Sequence, residues 1–418
     1  MRMNNPLVRA HLSSMSSGWA RFAHRFSSYY RTAELWSPPR QRTREWMFIP
    51  FGNGSPLRHR AYPDTDVLRE FLVSNPPHSV FYSTAYWQRP HEYKMADKGW
   101  LGADLIFDLD GDHLPGVTDR DFPGMLTAIQ EQAWSLWNDF LQPEFGFDQK
   151  HLQVTFSGHR GFHLHYRDPS ILHLDSEARR ELVSHIRGEG VEVQTLMPRY
   201  NDPSAQGWNL RLRKGVKTMA DKLRRIAQGS PNELKELMAG LKKMYERESV
   251  VNPRGITSVK RLAGLMTDDS RFDRVIKGRF QGLNQYEKLF LDLVKCDASI
   301  VLGNAGETDE VVTIDVRRQI RFPSSLHGKC GLRVTEFPLS RLDPDSSDPF
   351  DPLSEAIAFS SQDNYSVEIT SDDVVARFHD RLIEATTGDI IEVHEAGATF
   401  FVLKGWGRII TSANGEKF

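Results

Sequence analysis

The stretch WLGADLIFDLDGDH, residues 100–113, constrains the fold more than any other part of the chain. An apolar run that ends in Asp108, Asp110 and Asp112 is expected to form a buried strand with carboxylates at its tip. Side chains alternate along a strand, so Asp108 and Asp110 would share one face. Two oxygen ligands on one face suit a hard divalent cation, which takes its other ligands from phosphate and water. D-x-D-G also occurs in phosphatases of the haloacid-dehalogenase type, and a solvated acidic turn is a third reading. The phosphatase reading wants a hydroxyl residue after the glycine, where Asp112 stands, and a motif near the start of its domain, where more than 100 residues precede this one.

Two further clusters bear on the choice. In VTFSGHRGFHLHY, residues 154–166, Ser157, Arg160 and His163 recur every third position around Gly158 and Gly161. Glycines let the backbone approach an anion, and Arg offers a rigid fork for phosphate. A tight turn explains the glycines but not three phosphate donors together. In TDEVVTIDVRRQIRFPSSLHGKCGL, residues 308–332, Asp309 stands at the start and Asp315 at the far end of an expected strand (VVTIDV, 311–316), and the two share its face by parity. Arg321, Ser325, His327 and Lys329 follow as a second donor set around a glycine. A triphosphate would need cations to sit beside these carboxylates, so the three clusters together point to metal-dependent phosphoryl chemistry.

The remaining pattern is α+β. Short strands are expected at 44–51, 79–84, 152–158 and just after it, with helices at about 66–74 and 124–141. A helical block of about 120 residues spans 175–300, and a β-rich segment closes the chain. The formal net charge of −2 excludes a strongly basic coat, so nucleic-acid contact would rest on local patches. One such patch is residues 211–225, with seven Lys/Arg against one Asp. It reads as a solvated helix face, with template contact as the alternative. Two cysteines, Cys296 and Cys330, make a disulfide framework unexpected and fit a cytoplasmic setting. No apolar stretch is long enough to cross a membrane. The first 33 residues have five Arg and no acid, a transit-peptide composition, yet the aromatic run at 25–36 looks like core-docking helix.

In this order the motifs resemble the catalytic small subunit of archaeal and eukaryotic DNA primases, in its archaeal form. STAYWQRP, KGWLGADLIFDLDGDH, RFPSSLHGKCGL and ATFFVLKGW carry the likeness. The resemblance implies an archaeo-eukaryotic primase catalytic fold built from residues 21–174 and 301–418. Residues 175–300 would be an inserted helical subdomain and residues 1–20 an N-terminal extension. It implies primer synthesis on single-stranded DNA from nucleoside triphosphates, with two Mg²⁺ or Mn²⁺ ions and an iron–sulfur large subunit as partner. Asp108 and Asp110 fall on its metal-binding pair, and Asp309 on its third carboxylate. Ser157, Arg160, His163, His327 and Lys329 fall on phosphate-binding positions. Arg58 and His59 fall on a pair that approaches the nucleotide sugar or the template. Many relatives carry a Cys/His zinc knuckle between the first two motifs. Residues 114–150 contain no Cys, so no zinc of that type is expected.

Overall fold

The structure, a computed structural model, describes residues 17–52, 54–111, 118–187, 196, 199–204, 206–247, 249–250, 253–298 and 312–412. It separates into two compact units. One comprises Met1–Trp134, Lys150–Arg180 and Glu307–Phe418, the other Ser135–Gln149 and Glu181–Gly306. The class is α+β, and every described strand ladder is antiparallel.

The first unit opens with the helix Ser17–Thr32. Its aromatic residues Phe22, Phe26 and Tyr30 recur every four positions and are buried. Strands β1 (Trp46–Pro50), β2 (Leu57–Arg60), β3 (Pro77–Ser83), β4 (Ala85–Trp87), β5 (Trp100–Ala103), β6 (Leu105–Asp110), β7 (Leu152–Phe156), β8 (Gly161–Tyr166), β9 (Gln319–Arg321) and β10 (Thr335–Phe337) follow. They form one four-stranded sheet ordered β2-β1-β3-β9, a second ordered β10-β7-β8-β6, and a β4-β5 hairpin.

The second sheet has two unlike faces. Phe107, Leu109, Phe162, Leu164, Val154 and Phe156 are buried on one side. The alternate positions of the same strands carry Ile106, Asp108, Asp110, His163, His165 and Thr155. Ile106 joins the apolar cluster of the first sheet, with Trp46, Tyr82, Ile320 and Phe322. The polar face therefore looks toward the first sheet, where its apolar end anchors it, and leaves Asp108 and Asp110 half-buried.

The unit closes with strands β11 (Asn364–Ile369), β12 (Val374–Phe378), β13 (Arg381–Ala385), β14 (Ile390–His394) and β15 (Gly407–Ser412). Between the last two lies a helix, Glu395–Leu403, within the expected β-rich segment. A short apolar run does not by itself distinguish strand from helix, and this one buries Gly397, Ala398, Phe400 and Phe401. Residues 312–314 are also a helical turn rather than part of a strand. Asp315 follows and accepts the backbone N–H of Arg317 (2.9 Å), an Asx-type turn that outcompetes the β-branched run before it.

The second unit is helical. Gly207–Ala227 buries Leu212, Val216, Met219 and Leu223 against Val259, Leu262, Leu289 and Leu293. No helix among the described residues is long and apolar enough to cross a membrane.

The phenol of Tyr30 links the first helix to the turn after β9, accepting the backbone N–H of Leu326 (3.1 Å) in a fully buried setting. Tyr30→Phe strands that donor. It is expected to lower unfolding free energy by about 1–3 kcal/mol, measured by urea titration, without altering the far-UV spectrum.

Candidate active site

Register decides which side chains meet. Asp108 lies opposite His163, and Asp110 opposite Gly161, in the β6–β8 ladder. His163 Nε2 stands 3.3 Å from Asp108 Oδ1. Asp110 closes the strand, and the next residue, Gly111, donates its N–H to the Arg160 carbonyl (2.9 Å). That bond holds the β7–β8 turn over the acid pair, and Arg160 Nε reaches 3.5 Å from Asp110 Oδ1.

The turn itself is built by Ser157. Its Oγ accepts the N–H of Gly161 (3.1 Å) and of His159 (3.4 Å). Gly161 has no room for a side chain, because a Cβ would overlap the Leu109 carbonyl on β6. Gly158 adopts φ +83°, which a side chain would resist, and faces His327 and Val334.

The S-L-H-G-K turn locks onto this one. Cys330 Sγ donates to the Gly158 carbonyl (2.9 Å). The His159 and His327 rings stack with centroids 4.7 Å apart. The Lys329 N–H donates to His327 Nδ1 (3.2 Å), and its side chain is exposed. Ser325 is turned inward, donating to the Phe322 carbonyl (2.6 Å), so it shapes the loop. Arg321 pairs with Phe81 across β9 and β3, and its guanidinium lies over that ring. Burial brings Arg321 down to about 10, while Asp108 and Asp110 favour its charge. It stays a cation at neutral pH.

Asp108, Asp110, Ser157, Arg160, His163, Arg321, His327 and Lys329 are thus brought together. Asp309 lies outside the described residues. Asp315, its partner by strand parity, sits in the Asx turn instead. Arg58 and His59 lie on β2, the far edge strand of the first sheet, with β1 and β3 between them and Arg321. That is about 14 Å across three strand spacings. His59 Nδ1 is 2.9 Å from the buried Glu45, and neither residue pairs with the acid strand. In the helical unit the basic run is largely spent on internal pairs. Arg211 and Lys214 meet Asp139, Lys222 meets Glu236, Arg224 meets Asp269 and Arg225 meets Glu233.

Comparison with known proteins shows the family. The family model described as DNA primase small subunit matches residues 107–339, from the acid strand to just past β10. The DNA primase small subunit PriS of Methanothrix thermoacetophila is 33% identical over 92% of this chain and 97% of its own length. Those of Methanococcoides burtonii (31%; 81% and 85%) and Haloarcula marismortui (32%; 88% and 89%) are similar to it as well. The chain belongs to the DNA primase small-subunit family. It is a primase catalytic subunit, an enzyme of the nucleotidyltransferase type, and the phosphatase alternative falls.

The same cluster also contains residues that motif spacing did not single out. Lys404, just after the helix Glu395–Leu403, has its side chain almost wholly covered. It bonds Asp119 (2.9 and 3.1 Å) and lies 3.4 Å from His159 Nε2. Asp119 in turn lies 3.9 Å from Arg160. His78 packs against Gly328, and burial, Arg321 and Lys329 lower it to about 4. Arg318 acts on Asp108. No sequence signal joins Lys404 to a turn some 245 residues away.

Burial pushes Asp108 up to about 6, against the pull of Arg318 and Arg321. The folded chain therefore keeps a proton that the unfolded chain releases near the ordinary value of 3.8. Stability from this group falls as pH rises from about 4 to about 6, and the cost of the buried charge persists above that. Asp108→Asn is expected to raise the melting temperature of metal-free protein at pH 8, equivalent to about 1–3 kcal/mol. The gain should disappear by about pH 4; a lower melting temperature at pH 8 would contradict this account.

Proposed function

We propose that this primase subunit makes short primers on single-stranded DNA from nucleoside triphosphates, by nucleotidyl transfer that depends on Mg²⁺ or Mn²⁺. The observation that carries the reading is the facing of two carboxylates on one strand by Arg160 and Arg321. Asp108 and Asp110 are the residues that would hold the cations. Among the described residues no group of three or more potential ligands forms. A two-carboxylate set completed by phosphate and water oxygens is the usual habit of Mg²⁺, and Asp309 would add to it. When bound, the ions supply Lewis-acid stabilisation of the attacking and leaving oxygens.

The chain's own groups position the triphosphate. Arg160, beside Asp110, would turn its guanidinium fork to a phosphate. Lys329 extends an exposed ammonium from the interlocked turn. Ser157 keeps its hydroxyl proton available, since both of its bonds within the turn are accepted ones. Burial and Arg321 lower His163 to about 3, and burial also holds His327 well below its ordinary value. Both rings are therefore neutral donors that add no charge of their own. Arg321 supplies fixed positive potential behind the acids. Holding the 3′-hydroxyl and the α-phosphate in line is then the main catalytic task.

Partners follow from the same reading. Two cysteines cannot hold a four-cysteine cluster, so an iron–sulfur large subunit would be a separate chain. The alternative is an inactive relative that only scaffolds replication. Primer synthesis with Mg²⁺ and with Mn²⁺ separates the two. Asp108→Ala and Asp110→Ala should each lower the rate by roughly 10³-fold while the circular dichroism spectrum of the folded protein is kept. Arg160→Ala should raise KM for the triphosphate by roughly 10-fold or more. Wild-type synthesis by Asp108→Ala would overturn the reading.

A further inference from the structure

Behind Asp108 the polar face of the second sheet continues as a file of buried groups. His163 Nδ1 is 3.5 Å from Thr155 Oγ1, and Thr155 Oγ1 is 3.4 Å from His165 Nε2. Thr155 and His165 are fully buried and His163 is 2% exposed. The file ends at His165 Nδ1, which is buried and finds no protein partner.

That end sets the direction of the hydrogen bonds. A neutral imidazole carries one N–H and one lone pair, and a threonine hydroxyl carries one proton. In one direction His165 Nε2–H donates to Thr155, Thr155 donates to His163 Nδ1, and His163 Nε2–H donates to Asp108. The atom without a partner is then a lone pair. In the reverse direction Asp108 must hold a proton, and an N–H of His165 is left unpaired in the core. Orphaned buried N–H groups are rarer and costlier than orphaned acceptors. A mixed arrangement, with both rings donating to Thr155, turns the His163 lone pair toward a carboxylate oxygen. Only the first direction satisfies every donor.

We propose that Thr155 and His165 are positioning residues of the primase site, which lock His163 as the Nε2–H tautomer and thereby orient Asp108 through a donated hydrogen bond at Oδ1. The inference rests on the reading of Asp108 as a cation ligand. It assigns His163 the role of holding that carboxylate, since its single N–H is given to Asp108 and its lone pair to Thr155. Outer partners of a ligand carboxylate fix its rotation and are felt in metal affinity. Thr155 acts at one remove, through the ring, and touches neither metal nor nucleotide.

The test uses the full chain, labelled with ¹⁵N-histidine, and long-range ¹H–¹⁵N correlation to read the tautomers, with His163 assigned by its loss in His163→Gln. Wild type and Thr155→Ser are expected to show His163 with the proton on Nε2, and Thr155→Val to lose that bias. Mn²⁺ binding without nucleotide, followed by electron paramagnetic resonance, should weaken roughly 10-fold in Thr155→Val and recover in Thr155→Ser. A wild-type His163 with its proton on Nδ1 overturns the proposal without recourse to any variant. So does a folded Thr155→Val with unchanged tautomer and unchanged Mn²⁺ affinity. If Asp108→Asn binds Mn²⁺ as tightly as wild type, the cation reading of Asp108 fails instead, and the tautomer spectrum still decides the role of Thr155.

Discussion

Carboxylates on an inward-facing strand surface must be met by cations, and the architecture of the catalytic unit follows from that requirement. Asp108 and Asp110 share their face with Ile106, which is sealed into the apolar cluster of the neighbouring sheet. The acids are therefore drawn toward the interior by the same alternation that buries the strand. Moving a lone carboxylate out of water is expensive. Arg160 and Arg321 offset part of that cost from a turn and from a strand that lie far apart in sequence. The remainder persists as the raised Asp108 carboxyl.

Histidines make up much of the rest of the site, and their neutrality is informative. Burial and the nearby Arg321 hold His163 and His327 well below their ordinary values, and burial with Lys404 and Arg321 does the same for His159. Fixed positive charge comes from Arg160, Arg318, Arg321, Lys329 and Lys404. Neutral rings then serve as packing and as directional donors. The stacked His159–His327 pair joins the two turns, and the C-terminal helix bears on the same place through Lys404 and Asp119. Residues matched to the family model and residues beyond it thus converge on one surface.

Where a signal was local, the sequence was legible. Period-two alternation put Asp108 and Asp110 on one face, and glycine spacing marked both donor turns. The aromatic period of the first helix marked its docking face. Parity failed at Asp315, because it assumed a strand where an Asx turn forms. The Glu395–Leu403 helix was missed because nine residues rich in apolar side chains carry no decisive period. The basic run at 211–225 reads from sequence as a solvated helix face, with template contact as the alternative, and five of its seven charges face carboxylates of their own unit. Lys404, Asp119 and His78 had no motif to announce them, since tertiary contact alone brings them to the turns. Thr155 was hidden differently: within a strand run it looked like an ordinary β-branched residue, and only cross-strand register shows its two imidazole neighbours.

The most direct test of the central claim is anomalous diffraction from crystals of the protein with Mn²⁺ and a non-hydrolysable nucleoside triphosphate. The account predicts manganese in coordination contact with both Asp108 and Asp110, and phosphate oxygens within hydrogen-bond reach of Arg160 and Lys329. Manganese bound away from the acid pair, or a triphosphate seated away from the two interlocked turns, would contradict it.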